Sequence, residues 1–277
     1  MGALRALISF YTIFHMNITQ EDMDAMETRF HLTPLVGLIF GFLVMLVCIC
    51  MALLSVHMDF GNGFMTAVLV LLTVYAGSKF LHFDGLTDFG DGMIVSGQQS
   101  DHIRALKDTL VGAGGIGVAL ITVLCSVAFY SAYDNRFLMI LVFPAIEVFV
   151  KSAMVVAAAL GKPGNGMAAR QVERTTPRSA VLGIIVSLFA LAIIFAVGGA
   201  VMVYLFGSQF GNLLSVMILI IAVGLIVSTL VGITMSRTAN RVFGMVNGDI
   251  LGATNEVSRP FLAFFILLAI YVYLAVI

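Results

Sequence analysis

The chain has 277 residues, of which 61% are hydrophobic and 10% are charged, whereas roughly 25% are charged in a typical soluble domain. Its mean hydropathy is +1.09, and its 14 basic and 15 acidic residues nearly balance. These values exclude a soluble globule, a disordered chain and a basic surface for nucleic acid. The class that remains is a polytopic protein of the lipid bilayer, with no nucleic-acid partner expected.

Seven apolar runs approach the roughly 20 residues that a spanning helix needs. They cover residues 35–56, 64–81, 116–133, 137–160, 180–206, 213–234 and 260–277. The stretch 1–16 is shorter and contains Arg5, which predicts an amphipathic or re-entrant helix. We therefore expect an all-α membrane bundle of about seven transmembrane helices plus this N-terminal helix, forming one domain over residues 1–277.

The basic residues predict the orientation of this bundle. With the N-terminus inside, the outer loops near 57–63, 134–136 and 207–212 contain a single cation, Arg136. The inner segments 1–34, 82–115, 161–179 and 235–259 contain eleven, namely Arg5, Arg29, Arg104, Lys107, Lys162, Arg170, Arg174, Arg178, Arg237, Arg241 and Arg259. This positive-inside bias places the polar chemistry on the cytoplasmic side of the cell membrane.

The most informative segment runs from His82 to Gly92 and contains three carboxylates. Asp84, Asp88 and Asp91 are spaced by four and three residues, so on a helix they share one face. Three like charges on one face repel each other unless a divalent cation neutralises them. Hard oxygen ligands in this number suit Mg²⁺ or Mn²⁺, which predicts a metal site that would hold a diphosphate.

Glycines and cations accompany the carboxylates. Gly85 and Gly92 would let a substrate or phosphate approach the backbone closely. Arg104 and Lys107 precede a glycine-rich run over residues 112–117 that leads into a helix, an arrangement suited to binding phosphate oxygens. Tight packing of small residues between membrane helices is the alternative interpretation of this run.

A second polar cluster, from Asn247 to Glu256, precedes the last apolar run. Asp249 and Glu256 are seven residues apart and share a helix face, so they could complete a metal site or position a nucleophile; an interfacial helix cap with solvated charges is the alternative. The cations between Lys162 and Arg178 suggest a phosphate or lipid-headgroup surface, or solvated positive-inside charge.

Two further charged features are expected to be structural. Glu147 and Lys151 lie four residues apart inside an apolar run, a spacing that allows an ion pair. The acidic segment 21–27 predicts a solvated helical turn capped by Asn17 or Thr19.

Cys48, Cys50 and Cys125 lie in apolar runs without metal-ligand spacing, so we expect free thiols.

These residues together resemble the cobalamin synthase family, the adenosylcobinamide-GDP ribazoletransferases. The resemblance covers nearly the whole chain in order. It is carried by His82-x-Asp84-Gly85-x-x-Asp88-x-x-Asp91-Gly92, Lys107-Asp108 with Gly112, Pro34-Leu35-Val36-Gly37, and Gly248-Asp249-x-Leu251-Gly252-Ala253 with Glu256.

The resemblance implies a Mg²⁺-dependent membrane transferase that catalyses late steps of cobalamin biosynthesis. In that reaction the 5′-hydroxyl of α-ribazole, or of its 5′-phosphate, attacks the cobinamide-linked phosphorus of adenosylcobinamide-GDP, and GMP leaves. Asp84, Asp88 and Asp91 would hold metal and diphosphate. The resemblance also implies that His82, Lys107, Asp108 and Asp249 line the site. Together with the residues argued above, this predicts Asp84, Asp88, Asp91, Asp108 and Asp249 as catalytic groups, and His82, Gly85, Gly92, Arg104, Lys107, Asn247 and Glu256 as substrate-binding groups.

Some positions depart from the family pattern and leave two other classes of membrane protein as alternatives. The chain has Leu110 where the family usually has Arg, and Arg259 where the family has a second Glu. A CDP-alcohol phosphotransferase is the main alternative, but its Ala-Arg pair is missing after Asp88 and Asp91. A transporter using Glu147 and Lys151 as a coupling pair is a third interpretation. The oligomeric state stays open, with a homo-oligomer as one option.

Overall fold

The computed structural model describes residues 2–166, 168–207 and 212–276, and it is helical with no named strand in these ranges. A short 3₁₀ helix, Phe30–Leu32, precedes the first long helix. The α-helices are α1 (Gly2–Tyr11), α2 (Gln20–Thr28), α3 (Pro34–Met58), α4 (Gly63–Gly77), α5 (Leu81–Ile94), α6 (Gln99–Leu106), α7 (Ala113–Ser131), α8 (Arg136–Leu160), α9 (Ala169–Arg174), α10 (Pro177–Phe206), α11 (Leu213–Val242) and α12 (Gly248–Val276).

Six of the described helices are long and apolar enough to cross a membrane, namely α3, α7, α8, α10, α11 and α12. The predicted span over 64–81 is shorter than expected because α4 ends at Gly77 and the chain then turns by 94° into α5. Lys79 and Phe80, both in the left-handed region (φ 55° and 56°), make this turn. Counting the bent pair as one span gives seven, which confirms the predicted polytopic all-α bundle.

The local sequence explains how the long helices begin and end. In α10, the Thr176 hydroxyl accepts a hydrogen bond from the Ser179 amide, and Pro177 occupies the first turn, where its missing N–H costs nothing. The helix stops at Gly207, whose φ of 57° suits glycine. Most of the outer loop predicted near 207–212 lies outside the described residues.

The N-terminal helix α1 packs at one end of the bundle and is too short to span a bilayer. It buries Ala3, Ala6 and Leu7, while Arg5 reaches across to α2 and pairs with Asp22 at 2.9 Å. This confirms the predicted amphipathic helix. The predicted solvation of the acidic segment is wrong at Asp22, whose side chain is only 8% exposed.

Asp22 is held in place by the start of its own helix. Thr19 caps α2, as predicted: its hydroxyl accepts from the Asp22 amide at 3.2 Å, and its own amide donates to the Asp22 carboxylate at 3.1 Å. This amide bond, together with Arg5, holds the pKa of Asp22 below its usual value. Asp22 therefore fastens α2 to α1.

Helix α8 forms the centre of the bundle. Every residue in its most apolar 18-residue window is buried, and α3, α10, α11 and α12 pack around it. Its N-terminus is capped by Asn135, whose side-chain oxygen accepts from the amides of Phe137 and Leu138. Burial on all sides leaves two of its charged residues, Glu147 and Lys151, without access to water, whereas Arg136 at its first position is exposed.

The negative charge of Glu147 in α8 is neutralised by Arg259 in α12. Arg259 donates to Glu147 through two hydrogen bonds of 3.2 and 3.1 Å and also pairs with Glu256 one turn earlier in α12. The amide nitrogen of Asn255 donates to Glu256 at 2.9 Å. The predicted Glu147–Lys151 ion pair is therefore wrong. Arg259 binds Glu147 through two hydrogen bonds, a bidentate geometry that the ammonium group of Lys151 cannot form. Arg259, counted above among inner-loop cations, is fully buried.

We expect Glu147→Gln to lower the free energy of unfolding by about 3–5 kcal/mol, since it leaves Arg259 with one carboxylate in a dry core. Thermal unfolding of the detergent-solubilised protein would measure the change. The matched control is Glu21→Gln, at a position on α2 that is exposed, where the change should stay within about 0.5 kcal/mol. Equal stability of the two variants would contradict the structural role of the buried pair.

Candidate active site

The polar end of the bundle is organised by the crossing of α5 over the first turns of α12. A Cβ atom added at Gly85 would lie 2.7 Å from the carbonyl oxygen of Asp249, and one added at Gly252 would lie 3.2 Å from the Cα of His82. Two glycines thus let the backbones approach closely. The crossing brings the two predicted polar clusters, separated by more than 150 residues, to the same place.

A cavity of about 400 Å³ opens at this crossing. One wall carries His82 and Asp84 from α5 together with Asn247 and Asp249 from the start of α12. The rest of the lining comes mainly from α1, α2, α9 and the loop before α9, and its polar members are Tyr11, Gln20, Glu27, Asn165, Arg170 and Gln171. The sequence-predicted residues His82, Asp84, Asn247 and Asp249 therefore share one concave, mixed-polarity site.

Asp249 is oriented by its neighbour. The side-chain nitrogen of Asn247 donates to Oδ2 of Asp249 at 2.7 Å, while its oxygen accepts from the Ile250 amide at 3.1 Å and so caps α12. Asp249 also lies within electrostatic range of Asp84 and of Lys107. One carboxylate oxygen, Oδ1, is left without a hydrogen bond from the described residues.

Asp84 and Asp88 have carboxylates to which no described residue donates a hydrogen bond. Asp84 is exposed and Asp88 is half-buried. The negative charges of Asp249, Asp84 and Asp91 all act on Asp88, so the predicted crowding of carboxylates on one face is real. Two carboxylates with free hard oxygens are suited to a cation whose other ligands come from phosphate and water.

Asp91 has a different environment from the other two carboxylates of its motif. Its two oxygens accept hydrogen bonds from the amides of Gly112 at 2.7 Å and Gly115 at 2.8 Å, so it caps α7. Those amides were predicted to bind phosphate, and Asp91 uses them instead. Among the residues that the structure describes, no three His, Cys, Asp or Glu side chains are placed to hold a metal together. The three-carboxylate metal site stays a prediction.

The cations and Asp108 of the 104–108 segment do not line the 400 Å³ cavity. Arg104 pairs with Asp101 at 3.4 Å and is 80% exposed. Asp108 accepts from the Leu110 amide at 3.0 Å and borders a separate cavity of about 270 Å³ beside Asp91. Lys107 is exposed but close enough for its charge to act on Asp249.

Three predicted substrate-binding residues are occupied by packing or pairing. Gly85 faces the backbone of α12, and a Cβ added at Gly92 would lie 2.7 Å from the Phe243 ring. The carbonyl of Gly92 accepts from His102 at 2.8 Å. Glu256 is buried in its pair with Arg259. Other protein groups therefore fill the space around these three residues, and their role in substrate binding stays a prediction.

Several cavity residues were not predicted from the sequence as site residues. Tyr11, Gln20 and Gln171 lie in segments with no motif, and nothing in their local sequence signals a site. Arg170 was noted only as one of the cations near a phosphate or headgroup surface. It pairs with Glu27 at 3.4 Å across the cavity wall, and this partner lies 143 residues away in sequence.

The fold and this cavity define an integral-membrane protein with a carboxylate-lined site at one end of its helical bundle. The sequence profile of the cobalamin-5-phosphate synthase family matches residues 3–268. The chain belongs to this family, and it is an enzyme of cobalamin biosynthesis.

The chain is also similar along most of its length to relatives named adenosylcobinamide-GDP ribazoletransferase. The protein of Methanocella arvoryzae is 31% identical, over 94% of this chain and 92% of its own length. Those of Methanococcoides burtonii and Methanosarcina mazei are 28% and 29% identical, each over 93% of this chain and 88% of its own length. No solved structure matches the chain.

We expect Gly85→Ala to push α5 away from α12, because the added methyl group meets the Asp249 backbone at 2.7 Å. The variant should unfold at a lower temperature and lose at least about tenfold in turnover, since a misplacement of about 1 Å is costly in an active site. Thermal unfolding and a product assay on the purified protein would measure both effects. Gly117→Ala is the control, because a Cβ added there meets no atom within 4 Å. Two equally active, equally stable variants would refute the importance of the crossing.

Proposed function

We propose that the protein joins adenosylcobinamide-GDP to α-ribazole or its 5′-phosphate. The products are GMP and adenosylcobalamin or its 5′-phosphate. One observation carries the proposal: residues from two distant motifs, His82 with Asp84 and Asn247 with Asp249, line a single cavity in a chain that matches the family over residues 3–268. A diphosphate-linked donor needs such a convergence of polar groups.

The transfer exchanges one phosphorus–oxygen bond for another. The ribose 5′-hydroxyl forms a bond to the cobinamide-linked phosphorus, and the bond from that phosphorus to the oxygen of GMP breaks, with the electron pair leaving on GMP. The hydroxyl proton goes to Oδ1 of Asp249, the oxygen that Asn247 leaves free. A positioned carboxylate acting as a base typically contributes about 10²–10⁴-fold to the rate.

Two cations suit a substrate of high negative charge. Arg170 lines the cavity and is 64% exposed, so it is available to a phosphate group. Lys107 does not line the cavity, but it lies close enough for its charge to act on Asp249. In this proposal both offset the negative charge that gathers on the phosphoryl oxygens during transfer.

We propose Mg²⁺ as the cofactor, held by Asp84 and Asp88. The free hard oxygens of these two side chains fit the ion, which usually takes one or two carboxylates and keeps water and substrate phosphates as its other ligands. When bound, it would supply positive charge that offsets the diphosphate and the leaving group. Asp91 is left out of this set because both of its oxygens accept backbone amides.

The site is proposed to face the cytoplasm from the cell membrane. Without the buried Arg259, ten of the eleven inner cations remain against Arg136 outside, which keeps the positive-inside bias strong. Arg136 begins α8, and the cavity lies toward the other end of that helix, where Met154 of α8 and Arg170 of α9 line it. A cytoplasmic cavity would give the site direct access to soluble nucleotides.

We expect Asp249→Asn to reduce turnover about 10²-fold or more, because the amide cannot accept the hydroxyl proton. A detergent assay with adenosylcobinamide-GDP and α-ribazole, following product by absorbance and mass, would measure the change. Asp59→Asn is the matched control, at the exposed end of α3 opposite the cavity, and should keep its rate. A variant at Asp249 with a near-normal rate would remove this residue from the chemistry.

We expect chelation of divalent cations to abolish turnover, and added Mg²⁺ to restore it. Mn²⁺ binding in the presence of inorganic diphosphate, followed by electron paramagnetic resonance, should weaken at least about tenfold in Asp84→Asn and in Asp88→Asn. Asp59→Asn should bind as the unmodified protein does. Undiminished turnover in excess chelator would rule out a metal requirement.

A further inference from the structure

Lys151 links the buried charges to the cavity. Its side chain lies in the core of α8 and is 1% exposed. The ammonium nitrogen Nζ is 2.5 Å from Nε2 of His82 and 2.7 Å from Oδ1 of Asn255. His82 borders the cavity, so a chain of contacts runs from the Glu147–Arg259–Glu256 group through Asn255 and Lys151 to the site.

The charges and rings around Lys151 favour its positively charged form, against the cost of burial. The buried group contains two carboxylates, Glu147 and Glu256, and one guanidinium, Arg259. Only a charged Lys151 brings the total to zero, and an uncompensated buried charge is strongly destabilising. The rings of Tyr11 and Phe40 also lie 5.8 and 5.7 Å from Nζ, positions in which aromatic faces attract a cation.

A charged Lys151 decides which nitrogen of His82 bears hydrogen. An ammonium group has three donors and no acceptor, so Nε2 must accept and cannot carry a proton. The proton of a neutral imidazole is then on Nδ1. Nδ1 makes no hydrogen bond to any residue in the described ranges, and the ring is fixed by stacking on Tyr11 at a centroid distance of 5.4 Å.

We propose that Lys151 is a positioning residue that holds His82 as the Nδ1–H tautomer, so that the ring offers a hydrogen-bond donor to a phosphoryl oxygen in the cavity. The choice of ligand rests on the proposed function, whereas the tautomer does not. His82 cannot then act as the base, because Nε2 faces an ammonium and Nδ1 already bears a proton. The proton of the attacking hydroxyl therefore goes to a carboxylate.

The experiment is nitrogen NMR of the full chain labelled with ¹⁵N-histidine in lipid nanodiscs. Loss of a signal in His82→Gln assigns the ring among the five histidines. We expect His82 to carry a proton on Nδ1 and none on Nε2, the reverse of the tautomer that a solvated neutral histidine side chain favours. A protonated Nε2 in the unmodified protein would overturn the proposal without any variant being needed.

Variants at position 151 separate positioning from simple packing. Lys151→Met should move the proton of His82 to Nε2, while Lys151→Arg, which keeps a donor-only cation, should preserve the Nδ1–H form. Lys162→Met, at an exposed lysine, is the control and should leave the spectrum unchanged. An unaltered His82 signal in Lys151→Met would overturn the role of Lys151.

Inorganic diphosphate tests the ligand. With Mg²⁺ present, its addition should shift the Nδ1 resonance of His82 and leave Nε2 in place. An Nδ1–H tautomer with no such shift would overturn the donor role toward phosphate while leaving the tautomer intact. Absence of turnover with a normal tautomer and a normal shift would instead count against the proposed reaction.

Discussion

The pairing of Arg259 with Glu147 and Glu256 is the interaction on which the rest of the structure depends. A single charge at this depth would be strongly unfavourable in a medium without water. The double hydrogen bond to Glu147 fixes both the rotation and the height of α12 against α8. Because α12 carries Asp249 at its start and crosses α5 two turns before Arg259, the same pairing sets where the carboxylates of the cavity stand.

The charged core also extends a polar connection to the site without opening it to solvent. Asn255 donates to Glu256 and accepts from Lys151, and Lys151 reaches His82. Each side chain in this series forms a hydrogen bond with the next. A buried polar network whose hydrogen bonds are all formed favours one arrangement, whereas a partly bonded one destabilises the fold. The apolar helices form the bundle, and this network fixes the rotation of α5, α8 and α12 relative to one another.

Hydropathy alone was sufficient to predict the spans, because each long helix is an apolar run of nearly the required length. The 94° bend between α4 and α5 was not predicted, since it depends on left-handed backbone at Lys79 and Phe80, and neither residue type signals such a conformation. The convergence of His82 and Asp84 with Asn247 and Asp249 was expected only through the family resemblance. Periodicity places residues on a helix face but does not tell which helices meet.

The errors have the same origin. The spacing of Glu147 and Lys151 permits an ion pair within one helix, yet a tertiary partner, Arg259, offers better geometry. The spacing of the three aspartates correctly predicts a shared face. Asp91, however, accepts hydrogen bonds from backbone amides 21 and 24 residues away. Contributions from α1, α2 and α9 to the cavity carry no local pattern, because Tyr11, Gln20 and Arg170 become site residues only through packing.

Asp91 binds the amides at the start of α7, so this residue of the acidic motif has a structural role that Asp84 and Asp88 do not share. Its carboxylate lies at the positive end of the α7 dipole and holds α7 against α5. An inactive variant at this position would therefore report a displaced helix, whereas an inactive variant at Asp84 would bear on the proposed metal site. A residue of an acidic motif can thus be essential to the fold without touching a substrate.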